Sequence, residues 1–458
     1  MKKIALLLIV LYTNLAYASP SADEIWDIGG YGNAHVYYGN DTVLDRPIII
    51  VQPFELFTDI NENTFYDSMN NSSNGYMLND LRSQGRDIIL FMFSNPTASM
   101  IYNGEGLIKL INKTNSKISY AKPLVLAGVS MGGVITRYAL TKMESTQQEH
   151  NTALYLSYDA PHHGAIVPED IPARLRNFRN DLQDFVGFCE IVIMVNCPRN
   201  YVEDYLNILN SDAARELIVK TPQDPKRTSF LSTLSAYGGF PKTPYTYAFS
   251  NGSNSTYQGI GGSGPNGVGA KVKAIEWHFD KGILSDGNYK VYANKTRISR
   301  VCRYDLGYRD TIECNDKLEA RQYTQIPQSW LIITEYAGVD NRPGAHANLY
   351  GVLKYQLDAF VQGGVTSRLS ISNTTPPAQH AFVLTESALA KTGASLFDGY
   401  ETAGTINEEH ALLTYSNATQ IKNLINTYQY GEGSGNPGGS GTPPGGGTCK
   451  GPICEEER

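Results

Sequence analysis

One serine of the chain stands in a glycine-lined turn between an apolar run and a helical pattern. Ser130 is the centre of Gly-Val-Ser-Met-Gly, residues 128–132, which follows the apolar run 124–129. Behind it, apolar residues recur at helical spacing, at Val134, Ile135, Tyr138 and Ala139. A sharp strand-to-helix turn lifts a serine hydroxyl out of the backbone and exposes it to a base, and small flanking residues let the two elements pass closely. Ser130 is therefore a candidate nucleophile, whereas the alternative is a turn with an idle serine.

A nucleophilic serine needs a base that accepts its proton, and histidine is the usual one. His410 is our candidate, because the segment behind it has apolar residues at helical spacing, at Ile421, Leu424, Ile425 and Tyr428. His380 is the alternative base, although it precedes residues 381–384, which we interpret as the last strand of the sheet, so it would enter the sheet from the wrong end. His346 is more simply explained as a structural histidine.

The elements that would position these residues alternate along the first half of the chain. The near-continuous apolar runs are residues 46–51, 87–93, 124–129 and 152–158. The helical patterns between them are residues 76–81 and 104–113. Apolar strands separated by helices are typical of a parallel sheet covered on both faces. Active sites in such sheets lie at the carboxyl ends of the strands, which is where Ser130 is expected.

The start of the chain has the pattern of a bacterial secretory signal, residues 1–18. Two lysines precede the apolar run 4–12, which is too short to span a bilayer, and the small residues Ala16 and Ala18 suit cleavage before Ser19. No later segment is apolar enough to cross a membrane, and the cleavage site carries no cysteine for a lipid anchor. We therefore expect a periplasmic or secreted protein.

Cysteine spacing and net charge narrow the classes of partner. The cysteines form three close couples, Cys189 with Cys197, Cys302 with Cys314, and Cys449 with Cys454. This suits an oxidising compartment and local disulfides, and no histidine stands at ligand spacing beside a couple, so we expect no metal. The net charge of -7, without a basic run, argues against nucleic acid and against electrostatic binding to anionic membranes.

Three stretches together resemble α/β-hydrolases of the lipase and esterase type. They are the strand and loop 47–55, the turn 128–132, and residues 159–164, whose Asp-Ala-Pro-His-His-Gly is similar to the D-x-P-H-x-G stretch of many lipases. The resemblance covers residues 30–165 and points to secreted bacterial members distantly similar to inositol deacylases. It implies a mostly parallel sheet covered by helices, a helical cap, and no metal or organic cofactor. It also implies a structural or pocket-lining part for His162 and His163.

The resemblance leaves the acid of a serine–histidine–acid triad without an obvious residue. In family members the acid often follows the strand after the cap, here residues 245–250, but the loop behind that strand, 251–254, contains no carboxylate. A displaced acid is therefore expected. Asp398 is our first choice, because it lies shortly before His410 and after the predicted last strand. The alternatives are Asp340 and Asp286. Each of these aspartates also fits a simple turn residue.

The oxyanion that forms on a substrate carbonyl needs backbone N–H donors. The fold supplies one from the residue after the nucleophile, Met131. A second is expected from the loop behind the strand 48–51, where Pro53 has no N–H, so that either Gln52 or Phe54 must donate. We choose Phe54.

Three further regions complete the predicted hydrolase domain, residues 19–430. Residues 165–237 have helical and irregular patterns that we interpret as a cap, and residues 252–328 have short alternating runs that indicate an antiparallel β insertion. Residues 431–458 are rich in glycine and proline, which predicts a flexible tail.

The sequence as a whole favours a secreted serine hydrolase that cleaves a small-molecule or lipid carboxylic ester through an acyl-enzyme on Ser130. One alternative is an acyltransferase or amidase on the same scaffold. Another is a non-catalytic surface-binding protein built on a hydrolase frame, which the missing carboxylate behind residues 245–250 would favour.

Overall fold

The computed structural model describes residues 19–55, 60–118, 122–167, 176, 198–220, 223–254, 271–280, 286–294, 297–303, 313–319, 343–347, 369–372, 380–391 and 393–429. The predicted signal segment, the predicted tail and the alternative acid Asp340 lie outside these residues. So do the cysteine couples Cys189 with Cys197 and Cys449 with Cys454.

Strands and helices alternate through most of the described chain. The strands, numbered along the chain, are β1 Glu24–Asp27, β2 Gly32–Tyr37, β3 Pro47–Val51, β4 Asp87–Phe93, β5 Leu124–Val129, β6 Thr152–Tyr158, β7 Tyr245–Ser250, β8 Lys271–Asp280, β9 Asp286–Asn294, β10 Arg297–Arg303, β11 Glu313–Glu319, β12 Gly344–Ala347, β13 Leu369–Ser372, β14 His380–Leu384 and β15 Gly399–Thr402. The α-helices are α1 Glu62–Met69, α2 Met77–Ser83, α3 Met100–Lys117, α4 Met131–Ser145, α5 Pro198–Asn210, α6 Asp212–Leu217, α7 Pro225–Ala236, α8 Thr385–Ala388 and α9 Tyr415–Gln429.

An eight-stranded sheet organises the molecule, in the order β1-β2-β4-β3-β5-β6-β7-β15. Neighbouring strands from β4 to β15 run parallel, whereas β2 is antiparallel to β4 and β1 is antiparallel to β2. The strands predicted from the sequence, β3 to β7, all lie in this sheet. The expectation of a mostly parallel sheet is therefore confirmed.

Helices cover both faces of the sheet, which explains why its central strands are apolar throughout. On one face, Ile49 and Val51 pack with residues of α3 and α4 such as Leu107 and Tyr138. On the other face, Ile48, Ile50 and their neighbours pack with α1, α2 and α9. Successive residues of β3 thus enter opposite cores, as the alternation of side chains along a strand requires.

The chain between β7 and β15 forms smaller antiparallel sheets. Strand β8 pairs with β9 on one side and with β13 on the other, while β10 pairs with β11. The antiparallel β insertion expected in residues 252–328 is therefore confirmed, and β13 adds a strand from beyond that range. In the β10–β11 pair, Cys302 and Cys314 are direct register partners. The helices α5, α6 and α7 lie between β6 and β7, in the segment that we interpret as a cap.

The strand predicted to end the main sheet is placed elsewhere. Residues 381–384 belong to β14, which pairs antiparallel with β12 in a sheet of its own. The last strand of the main sheet is β15, which pairs parallel with β7. The prediction was wrong because β15 is short and half exposed, so it lacks the apolar run of the central strands.

Candidate active site

The turn around Ser130 has the strained geometry that projects a side chain from a strand end. Ser130 has φ 51° and ψ -121°, a left-handed conformation that a residue with a side chain rarely adopts, and its N–H donates to Tyr158 O at 2.9 Å. A Cβ at Gly128 would collide with the backbone of Gly133, and one at Gly132 would collide with Val51 O. Both glycines are therefore needed for α4 and the loop behind β3 to approach the turn.

His410 reaches Ser130 from the opposite end of the domain sequence. Its Nε2 lies 2.9 Å from Ser130 Oγ, within hydrogen-bond distance. The loop that carries it follows β15 and precedes α9, as the sequence predicts, and Thr414 accepts the N–H of Asn417 at the beginning of that helix. The other face of the ring contacts Phe382 edge-on, with 5.0 Å between ring centroids.

Asp159 is the carboxylate that meets the histidine. Its Oδ2 lies 2.6 Å from His410 Nδ1 and also accepts the N–H of Ala411 at 3.1 Å, while its Oδ1 accepts the N–H of Asn251 at 3.2 Å. The residue is fully buried, at 0% exposure. A carboxylate held by donors on both oxygens cannot rotate freely, so it presents a fixed acceptor to the ring.

Sheet register sets the separation of Ser130 and Asp159. Their preceding residues, Val129 and Tyr158, are register partners on the adjacent strands β5 and β6. Asp159 also turns away from its strand with a positive φ, 50°, close to the 51° of Ser130. The two side chains thus leave neighbouring strands at the same level and in the same sense.

The carboxylate of Asp398, the first choice from the sequence, is not the one that meets His410. The structure places Asp398 immediately before β15, at the amino edge of the sheet, where its Oδ2 accepts the N–H and the hydroxyl of Thr246, both at 2.8 Å. Asp286 begins β9 and pairs with Asp280 in the three-stranded sheet. Asp159 therefore replaces Asp398 as the candidate acid, because a parallel sheet assembles its site from residues that follow strands, and Asp398 precedes one.

Two of the competing histidines lie beside the site. His346 O accepts the N–H of His410 at 2.8 Å, and burial lowers the pKa of the His346 side chain. His380 begins β14, opposite Ala347 of β12. Among the described side chains, His346 makes no hydrogen bond to Ser130 Oγ, which is bonded to His410 Nε2.

Of the two histidines behind β6, His162 is buried and His163 is half-buried. His162 Nε2 is bonded to Ser157 Oγ at 2.8 Å, and burial lowers the pKa of His162 well below its ordinary value. Burial likewise lowers the pKa of His163 to about 4. Both rings are thus neutral at physiological pH, which fits the structural part that the resemblance implies for them.

The candidate oxyanion donors remain Met131 and Phe54. Met131 follows the nucleophile as the first residue of α4. In the loop behind β3, the N–H of Gln52 donates to Phe91 O at 3.3 Å, and its side-chain Oε1 accepts the N–H of Phe93 at 2.6 Å. The N–H of Gln52 is thus already bonded to β4, so Phe54 is the second candidate donor in this loop.

The strand order of the main sheet decides the architecture: its second strand is antiparallel, a serine turn follows β5 and a histidine follows the last strand. The chain has the α/β-hydrolase fold. No protein-family model matches the chain, and no curated protein matches it.

Solved structures match parts of the chain. Est1E from Butyrivibrio proteoclasticus matches 34% of the chain at 13% identity, with a TM-score of 0.23. A serine hydrolase without a lid from Xanthomonas campestris matches 31% at 15% identity, with a TM-score of 0.24. An esterase of the bacterial hormone-sensitive lipase family matches 50% at 13% identity, with a TM-score of 0.29. The chain spans 55%, 63% and 66% of these proteins, respectively, so the assignment of the fold rests on its own strand order.

Asp159 is the carboxylate in contact with the histidine of the candidate site, although two glutamates lie next to that histidine in sequence. Glu408 and Glu409 precede His410 on the same loop, and burial, together with the charge of Asp159, raises the pKa of Glu408. Burial also raises the pKa of Tyr158, whose hydroxyl is therefore a neutral donor beside the acid.

Neither a metal cluster nor a membrane span is found in the described part of the chain. No group of three or more His, Cys, Asp or Glu side chains there could hold a metal ion. No helix in those residues combines the length and the apolar character needed to cross a bilayer.

Proposed function

We propose that this α/β-hydrolase cleaves carboxylic esters through an acyl-enzyme on Ser130. The observation that carries the proposal is the continuous chain of hydrogen bonds from Ser130 Oγ through His410 to the buried Asp159. This is the arrangement in which a serine, a histidine and an acid act as one nucleophilic unit. The resemblance of three sequence stretches to lipases and esterases supports an ester as the substrate.

In the proposed cycle, Ser130 Oγ attacks the ester carbonyl while His410 Nε2 takes the hydroxyl proton. Asp159 accepts the Nδ1–H of the ring and stabilises the imidazolium that forms. The N–H groups of Met131 and Phe54 hold the oxyanion. When the tetrahedral intermediate collapses, the alcohol leaves with the proton from Nε2, and the acyl group remains on Ser130.

Water completes the cycle at the same groups. His410 Nε2 takes a proton from the attacking water, a second tetrahedral intermediate forms on the acyl carbonyl, and its collapse returns the proton to Ser130 Oγ as the carboxylic acid leaves. No metal or organic cofactor enters either half of this cycle.

A fluorophosphonate probe, which phosphonylates an activated serine, tests the proposal directly. The wild-type protein is expected to be labelled and to hydrolyse p-nitrophenyl esters from a panel of short and long acyl chains. Ser130→Ala is expected to lose both properties, whereas Ser229→Ala, which alters an exposed serine on α7, should keep them. Equal labelling of Ser130→Ala would remove the proposed nucleophile.

The same experiments separate the alternative functions. Transfer of the acyl group to added alcohols or amines in preference to water would identify an acyltransferase, and cleavage of matched anilides would identify an amidase. A folded protein that is neither labelled nor active on any ester would favour a non-catalytic binding protein. The missing carboxylate behind residues 245–250 no longer favours that function, because His410 has a carboxylate partner in Asp159.

We also propose that the protein is exported. The support is the charged start, the apolar run and the small residues before Ser19. Expression in a bacterial host should yield a periplasmic or secreted form whose amino terminus is Ser19. A full-length protein retained in the cytoplasm would contradict this.

A further inference from the structure

Asn251 stands directly behind β7, at the place where the fold often carries the acid. It is fully buried, at 0% exposure, and its backbone joins the two halves of the proposed triad. Its N–H donates to Asp159 Oδ1 at 3.2 Å, and its carbonyl oxygen accepts the N–H of Glu408 at 2.7 Å. Its main chain therefore contacts the acid on one side and the loop of the base on the other.

The side chain of Asn251 binds the same loop on both sides of the base. Its Nδ2 donates to Glu409 O at 2.7 Å and to Leu412 O at 2.8 Å, one residue before and two residues after His410. Its Oδ1 lies 3.2 Å from the hydroxyl of Tyr158. The orientation of the amide is fixed, because the flipped form would set an oxygen against two carbonyl oxygens.

We propose that Asn251 is a positioning residue that holds His410 in register with Asp159 and Ser130, and that it does not hold the place of a vacant acid. This inference rests on the proposed function. Ser130 and Asp159 leave adjacent strands, so β-sheet hydrogen bonds fix their separation, whereas His410 arrives on a loop between β15 and α9. A loop needs a separate anchor, which the carbonyl oxygen and Nδ2 of Asn251 supply. Its N–H and Oδ1 join that anchor to Asp159 and Tyr158.

Two substitutions of Asn251 test the anchor. Asn251→Ala removes the side-chain bonds and keeps the backbone N–H to Asp159. Asn251→Asp keeps the shape but sets a carboxylate oxygen against the carbonyls of residues 409 and 412. Since a displacement of 1 Å in a catalytic group can cost about 10²-fold, we expect kcat to fall by roughly 10- to 100-fold in both, with KM changed by less than about threefold.

A spectroscopic readout separates positioning from general destabilisation. In the wild type, the proton between His410 Nδ1 and Asp159 Oδ2, atoms 2.6 Å apart, should give a far-downfield NMR resonance. That resonance should shift or broaden in both variants at temperatures where circular dichroism shows them folded. The matched control is Asn254→Ala, an exposed asparagine three positions further along the same loop, which should preserve kcat and the resonance.

A double variant decides between an anchor and a vacant acid site. If residue 251 could serve as the acid, Asp159→Asn combined with Asn251→Asp would regain activity lost in Asp159→Asn alone. We expect no recovery, because the side chain at 251 faces backbone carbonyls and not the histidine ring. Recovery of tenfold or more would overturn the inference, and so would a folded Asn251→Ala protein with wild-type kcat and resonance.

Folding failure and failure of the proposed function give different results. If Asn251→Ala does not fold, Tyr158→Phe removes only the hydroxyl that lies between Asn251 Oδ1 and Leu412 O, and it should lower kcat by a smaller factor. An unchanged kcat in that variant would count against the anchor. If the wild type is neither labelled nor active, the proposed function has failed, whereas loss of the resonance in the Asn251 variants would still report the anchor.

Discussion

Replacement of Asp159 by asparagine is the sharpest test of the site, because the carboxylate has three donors that an amide cannot all satisfy. Its Oδ2 faces His410 Nδ1 and the N–H of Ala411, and its Oδ1 faces the N–H of Asn251. With the amide oxygen at the Oδ2 position, two of these donors stay satisfied. The ring would then keep its tautomer, and the main loss would be the negative charge.

The size of that loss follows from the distance to the ring. Two unit charges about 4 Å apart interact by about 4 kcal/mol at the effective dielectric constant of roughly 20 that suits protein sites. Since each 1.36 kcal/mol is a factor of ten, kcat is expected to fall by about 10³-fold. If the amide settles in the other orientation, the wrong tautomer of His410 forms, and the loss should approach about 10⁴-fold.

The assay is steady-state hydrolysis of a p-nitrophenyl ester together with the rate of fluorophosphonate labelling. Asp398→Asn is the matched control, because it changes the aspartate closest in sequence to His410, whose carboxylate binds Thr246 at the other edge of the sheet. That control should keep kcat within about threefold, and it should lower the free energy of unfolding by about 1 to 2 kcal/mol. Asp159→Asn with more than a tenth of wild-type kcat, or Asp398→Asn with an equal loss, would refute the reasoning.

Three further outcomes follow from the same structure. Gly132→Ala would place a Cβ against Val51 O and displace the loop behind β3, so kcat should fall by at least about 10²-fold in steady-state ester hydrolysis. A variant with wild-type kcat would contradict that contact. Phe54→Pro removes the proposed oxyanion donor and should lower kcat by about 10²- to 10³-fold, whereas Phe54→Leu keeps the donor and should stay near wild type. Burial raises the pKa of Glu216 from 4.5 to about 7, so the folded protein retains a proton there that the unfolded chain loses above pH 4.5. The free energy of unfolding should therefore fall by up to about 3 kcal/mol as pH rises from 4.5 to 7 or above, and Glu216→Gln should flatten this dependence in urea titrations.

The parallel core of the fold was predictable because its strands are buried on both faces. The strands β3 to β6 are apolar runs of five to seven residues, and their burial leaves few polar positions to interrupt the pattern. The edge strands gave no such signal. In β1, Ile25 is 61% exposed, and β15 has no fully buried residue. Neither segment therefore has a sequence pattern that predicts a strand.

The serine and the histidine could be found because each carries a local signal. Ser130 has the glycine-lined turn, and His410 precedes the apolar pattern of α9. The acid has a local signal too, since Asp159 directly follows the buried strand β6 within the stretch similar to D-x-P-H-x-G. Closeness in sequence to His410 favoured Asp398 instead, but it fixes no distance in space, whereas a position directly behind a parallel strand does.

The position of Asp159 also explains why the site needs more than a triad. An acid behind β6 shares hydrogen-bonded strands with the nucleophile, so Ser130 and Asp159 are held to one another by backbone pairing alone. With the acid behind β6, the residue that follows β7 is the neutral Asn251. Its amide donates to two carbonyls of the histidine loop, which a carboxylate could not do. Because the acid follows β6 and not β7, residue 251 carries no charge that could pair with His410. Its side chain instead positions the loop that carries His410.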